Sequence, residues 1–418
     1  MNSLNKAQYL KILKNQLNRL NFISEDKFDS IVESLKDIDV IGFDIDFTLL
    51  NYDKTNMTKL MYESISKYLI NHKNYPKRIK YQYNKDFVQF FSKKGFIIDF
   101  KNGNCLQVIK DKSIIKCYHG KKEYTQNEIN RMYENGKYYL FKKSNSIINE
   151  SFYMITDNFH SQNLALFMIC VDLFDKNELK NINCYKDIII HMMEGMNYSF
   201  SIKPFEDFST FGYIFPEIHK HHDFYLVKNN IKELLIQLKQ KRKYLFFATN
   251  SNYSYSNFIL EKEIGNDYDK YFDLCFYKSS KPGFFQKENI VNSKCYFLDE
   301  SEFSCTELAD EIYHRISNGD KKLSRGSYIL VEKYFEKLLN KKDIKYLFIG
   351  DNILSDCQAP SKIERWCSIF IFDDINLKYS GEFDKEEKNS SDILTPYFED
   401  EDCKLALPNI NGLTYLIN

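Results

Sequence analysis

Val40-Ile41-Gly42-Phe43-Asp44-Ile45-Asp46-Phe47-Thr48 is a short apolar run that stops at two carboxylates, two residues apart. An uninterrupted run of this length, entered from the polar Asp37-Ile38-Asp39, reads as a strand buried on both faces. Such strands belong to parallel sheets. Upstream, Phe28, Ile31, Val32 and Leu35 recur at helical spacing and predict an amphipathic helix behind a candidate N-cap, Ser24. Downstream, similar runs return at Tyr244-Leu245-Phe246-Phe247-Ala248, at 272–277, at Tyr346-Leu347-Phe348-Ile349-Gly350 and at Ser368-Ile369-Phe370-Ile371-Phe372. Helical stripes precede two of them: Ile231, Leu234, Leu235 and Leu238, then Ile329, Leu330, Tyr334, Leu338 and Leu339. Helix alternating with buried strand predicts a doubly wound α/β domain.

The block between the first run and the second is too long for a crossover, which takes one helix. It reads as an inserted domain. Phe96-Ile97-Ile98-Asp99-Phe100, Leu106-Gln107-Val108 and Ile114-Ile115 are strand-like, separated by the turn-forming Lys101-Asn102-Gly103-Asn104 and Lys110-Asp111-Lys112. Residues 164–174 and 188–196 have helical periodicity. The acidic stretch 380–402 reads as a loop.

Composition removes several function classes. The 58 basic and 58 acidic residues of the 418-residue chain cancel, which argues against nucleic acid or an anionic membrane as the partner. The 35 Phe and 31 Tyr supply ample surface to bury, so the chain folds. No apolar run reaches the roughly 18 residues of a membrane span. No two of the ten Cys are spaced C-x-x-C, and several lie inside apolar runs, as reduced buried thiols do. The expectation is a cytoplasmic protein; whether it forms a homo-oligomer stays open.

Ligands of open α/β sheets bind at the carboxyl ends of the strands. Those ends read Asp44-Ile45-Asp46-Phe47-Thr48, Thr249-Asn250-Ser251, Lys281-Pro282-Gly283, and Gly350-Asp351 with Asp356 beyond. Singly, a Thr-Asn pair is usually a helix cap and Lys-Pro or Gly-Asp a turn. Together and in order, they match phosphoryl transfer through a covalent aspartyl-phosphate. Asp44 would attack phosphorus and Asp46 would protonate the departing oxygen. Lys281 and a Mg²⁺ held by Asp44 and Asp351 would balance the charge, with Thr249 and Asn250 donating to phosphoryl oxygens. Hard carboxylate ligands favour Mg²⁺ over zinc. His119 reads as a structural hydrogen-bonder. For Asp172 a helix-face carboxylate and a contact to a base edge both stay open.

This ordered set resembles the haloacid dehalogenase superfamily, and the carboxylate at Asp46 is similar to its phosphatase branch. Gly42-Phe43-Asp44-Ile45-Asp46-Phe47-Thr48-Leu49 resembles the cytosolic purine 5′-nucleotidase family and its 5′-nucleotidase domain-containing relatives. Ala248-Thr249-Asn250-Ser251-Asn252-Tyr253 resembles that family's second motif. Lys281-Pro282-Gly283-Phe284-Phe285 is similar to the third motif of the domain-containing-1 branch. Gly350-Asp351-Asn352-Ile353-Leu354-Ser355-Asp356 resembles the fourth, and Asp99 to Val108 with Cys117-Tyr118-His119-Gly120 resembles the cap entry. The resemblance implies a Rossmann-like doubly wound parallel sheet core with a large α+β cap inserted after the first core strand. The implied boundaries are 1–51 (N-terminal helices, first strand, nucleophile loop), 52–222 (cap), 223–376 (rest of the core) and 377–418 (polar acidic C-terminal segment). It also implies Mg²⁺-dependent hydrolysis of nucleoside 5′-monophosphates. The alternatives are another small phosphate ester, or a non-catalytic scaffold retaining the fold. The implied roles are nucleophile for Asp44, acid/base for Asp46, and phosphate contacts for Thr249, Asn250 and Lys281. Metal ligation falls to Asp44, Asp351 and the main-chain carbonyl of Asp46, with Asp356 supporting the metal shell or orienting Lys281.

Overall fold

The computed structural model describes residues 5–19, 25–81, 87–88, 91–92, 94–109, 111–139, 150–202, 209–287, 294–299, 301–372 and 405–417. Ser24, Cys403 and the stretch 380–402 lie outside the described residues. The described chain groups into two compact units, Tyr52–Val227 and the remainder.

The remainder is built on one sheet. Its strands are β1 (Val40–Phe43), β2 (Tyr244–Ala248), β3 (Leu274–Tyr277), β4 (Lys294–Phe297), β5 (Glu302–Ser304), β6 (Lys322–Arg325), β7 (Tyr346–Gly350), β8 (Trp366–Ile371) and β9 (Leu405–Leu407). Their spatial order is β5-β4-β6-β3-β2-β1-β7-β8-β9. Every neighbouring pair from β6 to β9 is parallel, while β4 runs antiparallel to β5 and β6. The architecture is mixed α/β with a parallel sheet. β1, all four of whose residues are buried, lies between β2 and β7. Gly42 pairs with Phe246 on one side and Phe348 on the other. A Cβ on Gly42 would meet the Phe246 ring at 2.2 Å and the Phe348 ring at 2.7 Å, so the position accepts no side chain. These rings continue into Phe276, Phe285 and Trp366 as one aromatic cluster. Each such buried ring contributes about 1.5–3 kcal/mol.

β1, β2 and β7 have the limits their apolar runs predict. β3 starts two residues late, because Tyr268–Tyr271 winds into a 3₁₀ turn. Asp273 then plugs the strand entry, accepting from the Leu245 N–H at 2.8 Å and pairing with Lys239 at 2.7 Å. β6 is not an apolar run. Leu323 is buried, while Lys322 pairs with Asp269 at 3.1 Å. The end of the segment expected as a polar tail belongs to this unit: β9 pairs with β8, and Tyr415 stacks on Tyr9 at 4.3 Å.

The Tyr52–Val227 unit carries an antiparallel sheet of Lys122–Glu123, Ile114–His119, Asn104–Val108, Phe96–Asp99 and Phe152–Met154, in that order. The predicted helices appear as Gln162–Asp175 and Tyr185–Ser199. The first is buried at every residue from Gln162 to Val171, as a helix apolar on all sides should be. A third helix, Lys54–Lys73, was not anticipated. Asp53 caps it by accepting from the Asn56 N–H, and Asn74 ends it in a left-handed turn. Among the described residues no helix is long and apolar enough to cross a membrane.

Candidate active site at the carboxyl ends of the parallel strands

Asp44 follows β1 directly, and its N–H donates to the Ile349 carbonyl of β7 at 2.8 Å. The chain then folds back on itself. The Ile45 carbonyl accepts from the N–H groups of Thr48 (3.3 Å) and Leu50 (2.9 Å), and Phe47 takes a positive φ of 56°. This tight loop buries Asp46, whose Oδ2 accepts from the Ser251 hydroxyl at 2.8 Å.

Thr249 and Asn250 follow β2. The Thr249 N–H donates to the Phe276 carbonyl of β3 at 2.9 Å, and its Oγ1 accepts from the Ser251 N–H at 3.1 Å. Asn250 grips the main chain of Lys281. Its Oδ1 accepts from the Lys281 N–H at 2.7 Å and its Nδ2 donates to the Lys281 carbonyl at 3.0 Å. An amide nitrogen has two hydrogens, so a second donation from Nδ2 is compatible with this grip. Ser279 ties the same loop to β2 by donating to the Thr249 carbonyl at 2.8 Å. So held, the Lys281 ammonium lies 2.8 Å from Asp44 Oδ1 and 2.7 Å from Asp356 Oδ1, with its side chain 2% exposed. It also stands 5.1 Å from the centroid of the Phe348 ring.

Gly350 closes β7 and Asp351 follows it. Asn352 turns the chain by accepting from the Leu354 and Ser355 N–H groups, which brings Asp356 back against the strand end. A Cβ on Gly350 would lie 2.3 Å from Asp356 Oδ2, so only glycine lets that carboxylate approach. Asp356 is fixed further by the Asn352 N–H at 3.1 Å and the Ser355 hydroxyl at 3.2 Å.

Candidate ligand oxygens of Asp44, Asp351 and Asp356 all lie within 4.8 Å of one another. Burial pushes Asp44 up to about 7; the Lys281 ammonium opposes this, and the Asp356 and Asp46 carboxylates add to it. Burial alone would lower Lys281, but Asp356 and Asp44 more than offset it and hold the ammonium above its usual range. Lys281 thus lies between Asp44 and Asp356, with Asp351 in the same carboxylate cluster and Asp46 close enough to act on Asp44. The cluster of Asp44, Asp351 and Asp356 could hold a metal ion, and an all-carboxylate donor set suits a hard divalent one.

The structure therefore draws the sequence-derived residues together at four neighbouring strand ends, those of β3, β2, β1 and β7. Asp44, Lys281 and Asp356 touch, Asp351 joins their carboxylate cluster, and Asn250 and Thr249 shape the loops behind them. Ser251, Ser279, Asn352 and Gly350 were given no role from sequence. Ser251 stood beside Thr249-Asn250, but its partner is visible only once the loop after β1 has closed. His119 and Asp172 belong to the other unit. His119 lies 2.8 Å from both Asn104 Oδ1 and Asp175 Oδ2, and Asp172 accepts from the Lys121 N–H at 3.2 Å.

Known proteins share this chain's pattern at low identity. It is 26% identical to human 5′-nucleotidase domain-containing protein 1 over 350 residues, 82% of this chain and 73% of that protein. The bovine protein of that name is 25% identical over 364 residues, 85% of this chain and 76% of the relative. Human 5′-nucleotidase domain-containing protein 2 is 23% identical over 77% of this chain and 58% of its own length. A family model described as the 5′ nucleotidase family matches residues 32–396, a span that takes in every strand-end residue described above, and the chain belongs to that family.

Proposed function

We propose that the protein is a Mg²⁺-dependent 5′-nucleotidase of haloacid dehalogenase type, with a Rossmann-like core and an α+β cap inserted after β1. The observation that carries this reading is the Lys281 ammonium held between Asp44 and Asp356, with Asp351 in the same carboxylate cluster. Asp44 attacks the phosphorus of a nucleoside 5′-monophosphate, and the bond from phosphorus to the 5′ oxygen breaks. Asp46 gives its proton to that oxygen, and the nucleoside leaves. The Asp46 carboxylate then takes a proton from water as the water oxygen attacks phosphorus. The acyl phosphate opens, inorganic phosphate leaves and Asp44 is restored. Lys281 balances the phosphoryl charge, and Thr249 and Asn250 donate to its oxygens. Asp44, Asp351 and the Asp46 main-chain carbonyl would hold Mg²⁺, with Asp356 behind them; the ion would supply further positive charge at the phosphoryl group.

Phosphate release over a panel of nucleoside monophosphates and sugar phosphates, with Mg²⁺ and with chelator, tests the proposal. Metal-dependent release with a preference for nucleoside monophosphates is expected. Equal release from every ester would replace the nucleotidase by a broad small-ester phosphatase, and none from any would favour a scaffold.

A further inference from the structure

The contact between the Ser251 hydroxyl and Asp46 Oδ2, 2.8 Å long, joins loops 205 residues apart in sequence. We propose that Ser251 is a positioning residue: it orients the Asp46 carboxyl for proton transfer to the leaving oxygen. The proposal rests on the reading of Asp46 as the acid of the reaction.

Ser251 is itself anchored. Its N–H donates to Thr249 Oγ1 at 3.1 Å, and its carbonyl accepts from the Lys278 N–H at 2.9 Å. The hydroxyl is therefore presented from a braced turn. Asp46 is buried in the tight loop after β1, so its backbone is fixed as well. Rotation of an aspartate carboxyl about its last torsion is intrinsically broad. The hydrogen bond from Ser251 restricts it. With Oδ2 accepting from Ser251, the proton that Asp46 passes on belongs on Oδ1. In the transfer, the bond from phosphorus to the leaving oxygen breaks as the Oδ1 proton moves to that oxygen, leaving the Asp46 carboxylate. Misplacing the proton by about 1 Å costs up to roughly a hundredfold in rate.

Leaving groups distinguish positioning from mere support. A nucleoside departs as a poor alkoxide and needs the proton, whereas 4-nitrophenolate departs without one. The experiment compares kcat/KM of Ser251→Ala and wild type on a nucleoside 5′-monophosphate and on 4-nitrophenyl phosphate. The nucleotide value is expected to fall on the order of tenfold further than the aryl value, within the roughly 10²–10⁴-fold worth of general acid catalysis. Ser251→Thr, which keeps the hydroxyl, is expected to hold the wild-type ratio. In an Asp46→Asn background, Ser251→Ala should add little. Equal losses on the two esters, no loss, or a Thr variant as skewed as the Ala variant would overturn the proposal. If melting shows that Ser251→Ala does not fold, Ser251→Cys, a weaker donor of similar size, should skew the ratio less in the same direction; an unskewed ratio overturns the proposal. Wild type that cleaves neither ester would overturn the phosphatase reading and this proposal together. Wild type active on both, with an unskewed variant, would overturn this proposal alone.

Discussion

Asp44 carries two loads, as the proposed nucleophile and as a member of a crowded buried cluster. In the metal-free protein burial raises its carboxyl to about 7, well above the roughly 4 of a free aspartate. As pH climbs between those values, the unfolded chain has released this proton while the folded protein still holds it. Asp44 therefore makes the metal-free fold less stable as pH rises from about 4 to about 7, with no further change above. Melting temperatures of chelator-treated wild type and Asp44→Asn across that range are expected to converge or cross in the variant's favour as pH rises. A constant difference would contradict the assignment. At this scale the candidate site was largely legible in the sequence, because Asp44, Asp46, Thr249, Asn250, Lys281, Asp351 and Asp356 all follow recognisable strand ends. Ser251 was not. A serine after a threonine–asparagine pair has many uses, and its partner is defined only by the closed Ile45–Leu50 turn.

Among elements, β7 and the turn after it show how a strand end brings buried charged groups together. Gly350 lets Asp356 pack against the backbone, and Asp356 in turn fixes Lys281. Gly350→Ala should push that carboxylate away and disturb Lys281 with it. The expected result is a stability loss of about 1–3 kcal/mol, as for other overpacked sites, with a larger proportional loss of phosphate release. Denaturant unfolding and turnover measured on the same preparation check both; unchanged turnover would show that Asp356 does not need this approach. Strands that are apolar runs, β1, β2 and β7, were readable because their burial on both faces leaves an unbroken signal. β6 was not, since Lys322, Ser324 and Arg325 surround a single buried leucine. The Lys54–Lys73 helix was hidden for a related reason: it buries Ser64 and Ser66 along with its apolar residues, blurring the stripe.

At the scale of the whole molecule, the chain belongs to the 5′ nucleotidase family and carries a carboxylate cluster that could hold a metal ion, and both support the proposed metal-dependent phosphatase. A ligand that binds only the folded protein raises its stability by mass action. Mg²⁺ is therefore expected to raise the melting temperature of wild type and to raise that of Asp351→Ala much less; equal shifts would remove Asp351 from the metal site. The central claim is that Asp44 performs metal-dependent hydrolysis of a nucleoside 5′-monophosphate. Its most direct test is phosphate release from such substrates by wild type and folded Asp44→Asn, with Mg²⁺ and with chelator. The account predicts release by wild type only with the metal, and a fall of at least roughly a thousandfold in the variant, as when other covalent nucleophiles are removed. Retention by Asp44→Asn of more than about a tenth of wild-type turnover, where a lost nucleophile leaves far less, would contradict it.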